Sequence, residues 1–219
     1  MIKRTIDIAG AIVGLILTLP FFIFLPILIK LDSPGPVFYF QTRVGHNRRR
    51  SNRREAGVSN LGRTGRDRRR RDVKGQMFPV IKFRTMVADA EKKCGPVWAI
   101  NNDPRITRLG AFLRKTRLDE IPQYFNVLRG QMSLVGPRPE RPVFVEELSS
   151  QVENYEKRLE VKPGITGLAQ VESGYDSSIS SVARKVHYDL EYIRNWSFLQ
   201  DVKIMLKTVV VVVTGKGAF

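Results

Sequence analysis

The chain has 219 residues, which suits one domain or one domain with appendages. A composition of 42% hydrophobic and 26% charged residues is ordinary for a globular protein and excludes wholesale disorder, collagen and a multi-span membrane protein. Thirty-seven basic against twenty-one acidic residues leave a net charge of +16, so phosphates, lipid headgroups or nucleic acid are the expected partners.

The first predicted element is an uncharged apolar segment, Ile8 to Ile29, between Asp7 and Lys30. At about 1.5 Å per residue, it could cross a hydrocarbon core of about 30 Å if the helix were straight. Pro20 and Pro26 each remove a backbone donor and clash with the preceding turn. We therefore expect a bend at Pro20 that leaves apolar helices of about 12 and 9 residues, neither of them long enough to span.

Charges on both flanks of this segment favour one topology. Lys3 and Arg4 precede it, while Lys30, Arg43 and an arginine-rich stretch follow it, and basic flanks tend to stay in the cytoplasm. A re-entrant membrane helix over residues 1–32, which enters and leaves by the same face, satisfies both flanks. A conventional single span, a cleaved signal peptide and a buried core helix are the alternatives.

An acidic residue at the start of the apolar helix is costly unless it is paired. Arg4 lies three residues before Asp7 on the same helix face, so we expect these two side chains to form a structural ion pair.

Residues 33–219 form the predicted cytoplasmic domain, which is interrupted early by a basic insertion at 46–76. The insertion holds twelve basic and three acidic residues and no aromatic residue. Its apolar area is too small to offset the entropy of ordering, which predicts a solvated, mobile loop. Attraction to anionic lipid is the functional alternative. Nucleic acid is not expected as a partner, because a segment without aromatic residues offers no platform for base stacking.

Two strands are predicted on either side of the insertion, at Val37 to Phe40 and at Val80 to Arg84. Successive side chains of a strand point to opposite faces, so Lys82 and Arg84 share one face. The pattern therefore directs two cations the same way, beside a core.

Helices dominate the remainder of the chain. Apolar spacing predicts two helices between Arg108 and Leu128, and Pro122, tolerated only in a first turn, places the start of the second near Asp119. Leu199 to Val213 is predicted to form an amphipathic helix suited to lying on anionic lipid.

Asp119 and Glu120 are the leading candidates for chemistry. At a helix start, unpaired N–H groups and the positive end of the dipole favour carboxylates and also a substrate phosphate. Asp119 could hold Mg²⁺, attack phosphorus or merely cap the helix, with Glu120 as a solvated first-turn acid.

Two proline-containing loops are candidates for phosphate binding. In the Gly-Pro-Arg-Pro sequence at 136–139, the prolines restrict the backbone, and a stiffly held Arg138 guanidinium suits bidentate phosphate recognition. A rigid loop with an exposed arginine is the alternative. At 162–167, two glycines could let the backbone approach a phosphate, although a glycine-containing turn is the commoner explanation.

Taken together, these segments carry a specific resemblance. The apolar N-terminal helix is followed by KFRTM at 82–86, by NDPRITRLGAFLRKTRLDEIPQYFNVLRGQMSLVGPRPERP at 102–142 and by KPGITGLAQV at 162–171. This series closely resembles the bacterial sugar transferases, the monotopic phosphoglycosyl transferases that act on polyprenyl phosphate, and among them the exopolysaccharide type. The resemblance covers nearly the whole chain outside the basic insertion.

The resemblance implies a fold and a reaction. The fold is α/β and helix-rich with a small sheet, and it carries the re-entrant helix and amphipathic helices on the membrane surface. In the reaction, a sugar 1-phosphate passes from a nucleotide diphosphate sugar, expected to be a UDP-sugar, to undecaprenyl phosphate. The product starts exopolysaccharide or other glycan assembly at the cytoplasmic face of the bacterial inner membrane.

The resemblance also implies site residues and a cofactor. The catalytic dyad of the family is matched by Asp119 and Glu120, with the aspartate as the nucleophile that becomes covalently phosphorylated. Mg²⁺ is the cofactor that the family implies. Its ligands are our own inference: we expect Asp119 and Glu120 to hold it, with a proton-transfer role as the alternative for Glu120. Lys82, Arg84 and Arg138 are the expected phosphate-binding residues, and Pro20 is the membrane bend.

Two rival functions remain open at this point. A non-catalytic membrane-surface protein could bind anionic partners through the arginine-rich insertion. A conventional glycosyltransferase would move only the sugar and release UDP. The sequence does not specify the sugar or the oligomeric state, for which a homodimer is one option.

Overall fold

The computed structural model describes residues 2–47, 75–91, 95, 103–173 and 179–214. Most of the basic insertion at 46–76 lies outside the described residues. In chain order the elements are α1 (Ile2–Asp32), β1 (Phe38–Val44), β2 (Met77–Phe83), α2 (Arg108–Lys115), α3 (Gln123–Leu128), β3 (Ser133–Val135), α4 (Pro142–Gln151), β4 (Gly164–Thr166), α5 (Leu168–Glu172), α6 (Ile179–Arg194) and α7 (Phe198–Thr214), with 3₁₀ turns at Leu118–Glu120 and Tyr155–Glu160. The described chain is helix-rich with two small two-stranded sheets, which confirms the coarse fold expectation.

Helix α1 runs unbroken through both prolines, so the prediction of two short helices is wrong. Each proline removes only one hydrogen bond from a 31-residue ladder. Packing on both sides of Pro20 outweighs that loss, because Ala11 and Leu25 are both buried. Among the described residues, α1 is the one helix long and apolar enough to cross a membrane.

One face of α1 packs against the rest of the chain near both of its ends. Ala11 joins a core cluster with residues of β2 and α3, while Leu25 and Ile29 join a second cluster with residues of β2 and α2. Between them, Gly14 lets the helix approach Tyr124 closely, since a Cβ there would lie 2.6 Å from the ring. The opposite face of α1 exposes large apolar side chains, among them Ile12, Ile16, Leu19, Ile23, Phe24 and Ile27.

The expected ion pair between Arg4 and Asp7 is wrong, because each side chain has another partner. Arg4 donates to the last two carbonyls of α3 at 2.6 and 2.8 Å, where a helix end leaves acceptors unpaired. Asp7 accepts hydrogen bonds from the Ser133 hydroxyl at 2.8 Å and from the Leu134 amide at 2.9 Å. The two residues therefore fasten the start of α1 to different elements.

Strands β1 and β2 form an antiparallel pair in which Tyr39 lies opposite Lys82. Directly opposed side chains of such a pair project from the same face. Tyr39, Gln41 and Arg43 therefore share the face of Lys82. The end of β1 also contacts the Gly-Pro-Arg-Pro region, since the Val44 amide donates to the carbonyl of residue 140 at 2.9 Å.

Strands β3 and β4 are parallel and approach one another closely. A Cβ on Gly164 would lie 2.1 Å from the Gly136 nitrogen, so the glycine permits close packing of two chain segments. Val145 and Leu148 of α4 share one buried cluster with Val186 of α6 and with Tyr155 and Leu159 of the 3₁₀ turn between them. Helix α7 extends one residue beyond each end of the predicted 199–213 segment, which confirms that this segment is helical.

Candidate active site

The predicted dyad lies in the 3₁₀ turn Leu118–Glu120, between α2 and α3. The prediction that an α-helix begins near Asp119 is wrong, since α3 begins at Gln123. Pro122 has no N–H with which to continue an α-helical ladder. The Ile121 and Tyr124 amides instead donate to the third residue back, which is the 3₁₀ pattern.

Neither carboxylate caps a helix, which was the structural alternative. The residue before the 3₁₀ turn is Arg117, the residue before α3 is Pro122, and neither position makes a side-chain cap hydrogen bond. Asp119 and Glu120 are instead buried, with exposed fractions of 6% and 7%. Two adjacent buried carboxylates require compensating charge nearby.

Two of the predicted cations supply this charge. The Lys82 ammonium lies 2.7 Å from Glu120 Oε1 and 3.6 Å from Asp119 Oδ2. Arg138 Nη2 donates to Glu120 Oε1 at 2.8 Å. The structure therefore brings Asp119, Glu120, Lys82 and Arg138 into one cluster, although the two cations come from β2 and from the loop after β3.

Arg84, the third predicted cation, lies elsewhere. It follows the last residue of β2, and its guanidinium donates to the carbonyls of Pro34 and Ser33 at 2.6 Å and of Ile29 at 3.2 Å. These three carbonyls lie in the last turn of α1 and in the two residues that follow it. Arg84 thus fastens the apolar helix to the sheet, and its contacts are with the backbone rather than with the dyad.

The environment pushes the pKa values of the two carboxylates apart. Burial raises the pKa of Asp119, and the Glu120 charge adds to that rise against the opposing effect of Lys82. Burial also acts to raise the pKa of Glu120, but Arg138 and Lys82 outweigh it and hold that pKa well below its usual value. Glu120 is therefore a permanent anion, while Asp119 is the more basic carboxylate of the pair.

Two further arginines, which are not among the predicted site residues, support the cluster. Arg43 donates to the Pro139 carbonyl at 3.1 Å and to Glu140 at 3.2 Å. Arg158 donates to the Arg138 carbonyl at 3.0 Å and forms a buried ion pair with Asp189 at 2.8 Å. The predicted strand ends at Phe40, so the sequence does not show that Arg43 lies on the same strand face as Tyr39. No local sequence pattern points to Arg158.

The two carboxylates of the dyad suit a magnesium ion whose remaining ligands are waters and substrate phosphates. Among the residues that the structure describes, no group of three or more His, Cys, Asp or Glu side chains could hold a metal. Mg²⁺ usually takes one or two carboxylates and completes its shell with waters and substrate phosphates. Asp119 and Glu120 match that donor set, and Asp119 is the freer of the two because Glu120 Oε1 already contacts two cations.

Comparison with known proteins extends these observations. The chain is 39% identical over 217 residues to a UDP-N-acetylgalactosamine-undecaprenyl-phosphate N-acetylgalactosaminephosphotransferase of Aeromonas hydrophila, covering 99% of this chain and 45% of the relative. It is 38% identical over 221 residues to the UDP-glucose:undecaprenyl-phosphate glucose-1-phosphate transferase of Escherichia coli (strain K12), covering 100% and 42%. It is 34% identical over 233 residues to the exopolysaccharide production protein ExoY of Rhizobium meliloti (strain 1021), covering 100% and 88%.

The chain thus spans less than half the length of the first two relatives and most of the third. It also matches the family described as bacterial sugar transferase over residues 1–52 and 62–215, which is nearly its whole length. The resemblance found in the sequence motifs is confirmed, and the chain belongs to the bacterial sugar transferase family.

Proposed function

We propose that this chain transfers a sugar 1-phosphate from a UDP-sugar to undecaprenyl phosphate and so starts the assembly of exopolysaccharide or another glycoconjugate. The names of the relatives from Aeromonas hydrophila and Escherichia coli state such a transfer for those proteins. The observation that carries the proposal is the buried Asp119–Glu120 pair with Lys82 and Arg138 against it. This cluster provides a nucleophile and two cations for anionic substrates.

In the first step, an Asp119 carboxylate oxygen attacks the phosphorus that bears the sugar. The bond from that phosphorus to the bridging oxygen breaks, and UMP leaves with the electron pair. The product is an acyl phosphate that joins Asp119 to the sugar phosphate. A carboxylate suits this task because it is nucleophilic without deprotonation and leaves readily in the next step.

In the second step, a phosphate oxygen of undecaprenyl phosphate attacks the same phosphorus. The acyl–oxygen-to-phosphorus bond breaks, the Asp119 carboxylate is regenerated, and the lipid carries the sugar through a diphosphate. Covalent catalysis thereby avoids a direct encounter of two anionic substrates.

The two cations have complementary duties in this scheme. Lys82 contacts both carboxylates, so it lowers the repulsion that an approaching phosphate meets at Asp119. Arg138 has a planar fork that suits bidentate phosphate binding, and its loop lies next to β1. Glu120 holds both cations in place and stays ionised while the phosphorus changes partners.

Mg²⁺ is the proposed cofactor, held by Asp119 with Glu120 as a second carboxylate. When bound, it would neutralise charge on the diphosphate and make UMP a better leaving group. This role adds to that of the protein cations, which alone face two substrate phosphates and two carboxylates.

We propose that α1, although it is one continuous helix, bends at Pro20, returns to the membrane face that it enters, and holds the site at the level of the lipid headgroups. Both halves of the helix pack against the same domain, through Ala11 on one side of Pro20 and Leu25 on the other. Its two ends are also fastened to that domain, by Arg4 to α3 and by Arg84 after β2. A helix crossing a bilayer would have to carry one of these ends to the far side.

Helix α7 offers a second surface for the membrane. Its exposed apolar residues are Phe198, Leu199, Leu206, Val209, Val210 and Val213. Lys203, also exposed, flanks this stripe, a pattern typical of helices that lie in the headgroup region of anionic membranes. Together with the exposed face of α1, this arrangement supports attachment to the cytoplasmic face of the inner membrane.

Release of the nucleotide tests the reaction. Purified protein with Mg²⁺, undecaprenyl phosphate and a panel of UDP-sugars should release UMP, and Asp119→Asn should abolish release because an amide does not form the acyl phosphate. Release of UDP would favour a conventional glycosyltransferase. No release with any sugar nucleotide would favour the non-catalytic surface protein.

Labelling tests the topology independently of activity. In a Cys94→Ser background, Thr5→Cys and Asp32→Cys should both react with an impermeant thiol reagent from the cytoplasmic side only. Reaction of the two positions from opposite sides would establish a spanning helix and overturn the re-entrant arrangement.

A further inference from the structure

We propose that a polar surface formed by Tyr39, Gln41, Glu91 and Arg141 binds the glycosyl group of the sugar nucleotide. This inference rests on the proposed function and names the part of the same site that contacts the sugar. We call these four residues the Tyr39 surface.

Strand register places the Tyr39 surface beside Lys82, which contacts both carboxylates of the dyad. Tyr39 is the cross-strand partner of Lys82, so the two side chains leave the sheet on the same face, with Cβ atoms about 5 Å apart. Gln41 lies two residues further along that face. Arg43, next in the same row, contacts the Pro139 carbonyl directly after Arg138. The surface is therefore continuous with both cations that hold Glu120.

Side-chain hydrogen bonds order the surface before any ligand arrives. Arg43 donates to Gln41 Oε1, so the amide nitrogen of Gln41 points toward Tyr39 and donates to its hydroxyl at 3.3 Å. The Tyr39 hydroxyl shares a hydrogen bond with Glu91. Arg141 then holds Glu91 with two parallel bonds of 2.9 and 2.7 Å. The result is a fixed row of donors and acceptors.

The chemistry of this row suits a sugar better than a phosphate or a lipid chain. The Tyr39 ring is 39% exposed and can pack against the apolar face of a pyranose. The carboxylate, amide and guanidinium beside it can exchange hydrogen bonds with hydroxyl or acetamido groups. Arg141, the cation of the surface, is already paired with Glu91, and the neighbouring Arg43 donates to the Pro139 carbonyl, so a further phosphate is less favoured there.

Distance from the nucleophile favours the glycosyl group over the uracil base. The sugar is bonded to the phosphoryl group that Asp119 attacks, whereas a second phosphate and a ribose separate that group from the base. Lys82 contacts Asp119 and is the cross-strand neighbour of Tyr39, so the Tyr39 surface begins beside a side chain that contacts the nucleophile.

The test compares a sugar nucleotide with the same nucleotide lacking its sugar. For the wild type, Tyr39→Phe and Gln41→Ala, we would measure kcat/KM for UMP release with UDP-glucose, UDP-galactose and their N-acetylamino counterparts, and the inhibition constant of UDP. Thr42→Ala is the matched control, because Thr42 is exposed on the opposite face of β1. Thermal unfolding checks that all four proteins are folded.

The surface variants should lower kcat/KM for the preferred sugar about tenfold, as expected for one lost hydrogen bond, and change the ratios between sugars. Inhibition by UDP should change less than twofold, and Thr42→Ala should match the wild type. Equal weakening of UDP and of the sugar nucleotide would place the nucleotide on this surface and overturn the inference. Surface variants that behave like Thr42→Ala would also overturn it, with the proposed function intact. A wild type that releases no UMP would end both.

Discussion

Replacing Asp189 should destabilise the chain. Together with a second variant, it separates the ion pair of the buried Arg158 from the hydrogen bond that Arg158 donates to the Arg138 carbonyl. In the structure, Arg158 and Asp189 form an ion pair at 2.8 Å with side-chain exposed fractions of 8% and 2%. Asp189→Asn removes the charge and leaves a guanidinium uncompensated in the interior, which costs about 3 kcal/mol. For a chain of this size, that loss lowers Tm by about 6 to 12 °C, measured by thermal unfolding in a fixed detergent.

A double variant, Arg158→Met with Asp189→Leu, leaves neither buried charge of the pair and should reverse most of the decrease in Tm. It should not recover UMP release, because the bond of 3.0 Å from Arg158 to the Arg138 carbonyl is also gone. Lys207→Ala is the control, since it breaks an ion pair whose lysine is 57% exposed and should change stability by less than about 1 kcal/mol. A loss for Asp189→Asn no larger than that of the control, or full activity in the double variant, would refute this reasoning.

Three more substitutions test the placement of other residues. Gly14→Val should lower stability by about 1 to 3 kcal/mol in thermal unfolding, because its Cβ would lie 2.6 Å from the Tyr124 ring, whereas Val13→Leu on the exposed face should be neutral. Arg84→Gln should cost about 2 kcal/mol by loss of its carbonyl contacts yet keep kcat/KM within twofold; a large fall in kcat/KM of the folded variant would instead return Arg84 to phosphate binding. Arg138→Lys keeps the charge but loses the fork, so UMP release should fall about 100-fold with Tm unchanged; release within threefold of the wild type would contradict this role.

Local sequence rules predicted the elements well where periodicity was strong. The helix at the C-terminus of the described chain and the two strands around the insertion are present, although β1 continues to Val44. The motif singles out Asp119 and Glu120, and the structure places Lys82 and Arg138, which charge and backbone rigidity single out, against Glu120. These residues can be recognised from a short segment of the sequence alone.

The failures concern residues whose partners are distant in sequence. Strand alternation groups Arg84 with Lys82, but β2 ends before it, and its guanidinium donates to carbonyls in the last turn of α1 and just after that helix. Asp7 was paired with Arg4 by helical spacing, whereas its hydrogen bonds come from residues 126 and 127 positions away. No local sequence pattern identifies Arg158, because its contact is with the Arg138 carbonyl in another loop. Such contacts follow only from tertiary packing.

The geometry of the dyad explains how two adjacent residues serve one site. Neighbours on a helix point roughly 100° apart, and the 3₁₀ turn widens this angle to about 120°, so backbone register alone separates Asp119 from Glu120. Lys82 contacts both side chains, since its ammonium lies 3.6 Å from the Asp119 carboxylate and 2.7 Å from the Glu120 carboxylate. Glu120 takes the shorter contact and Arg138 as well, which leaves Asp119 with the weaker cationic contact. In the proposed reaction, the carboxylate that contacts two cations orders the site, and Asp119, which is held less tightly, attacks phosphorus.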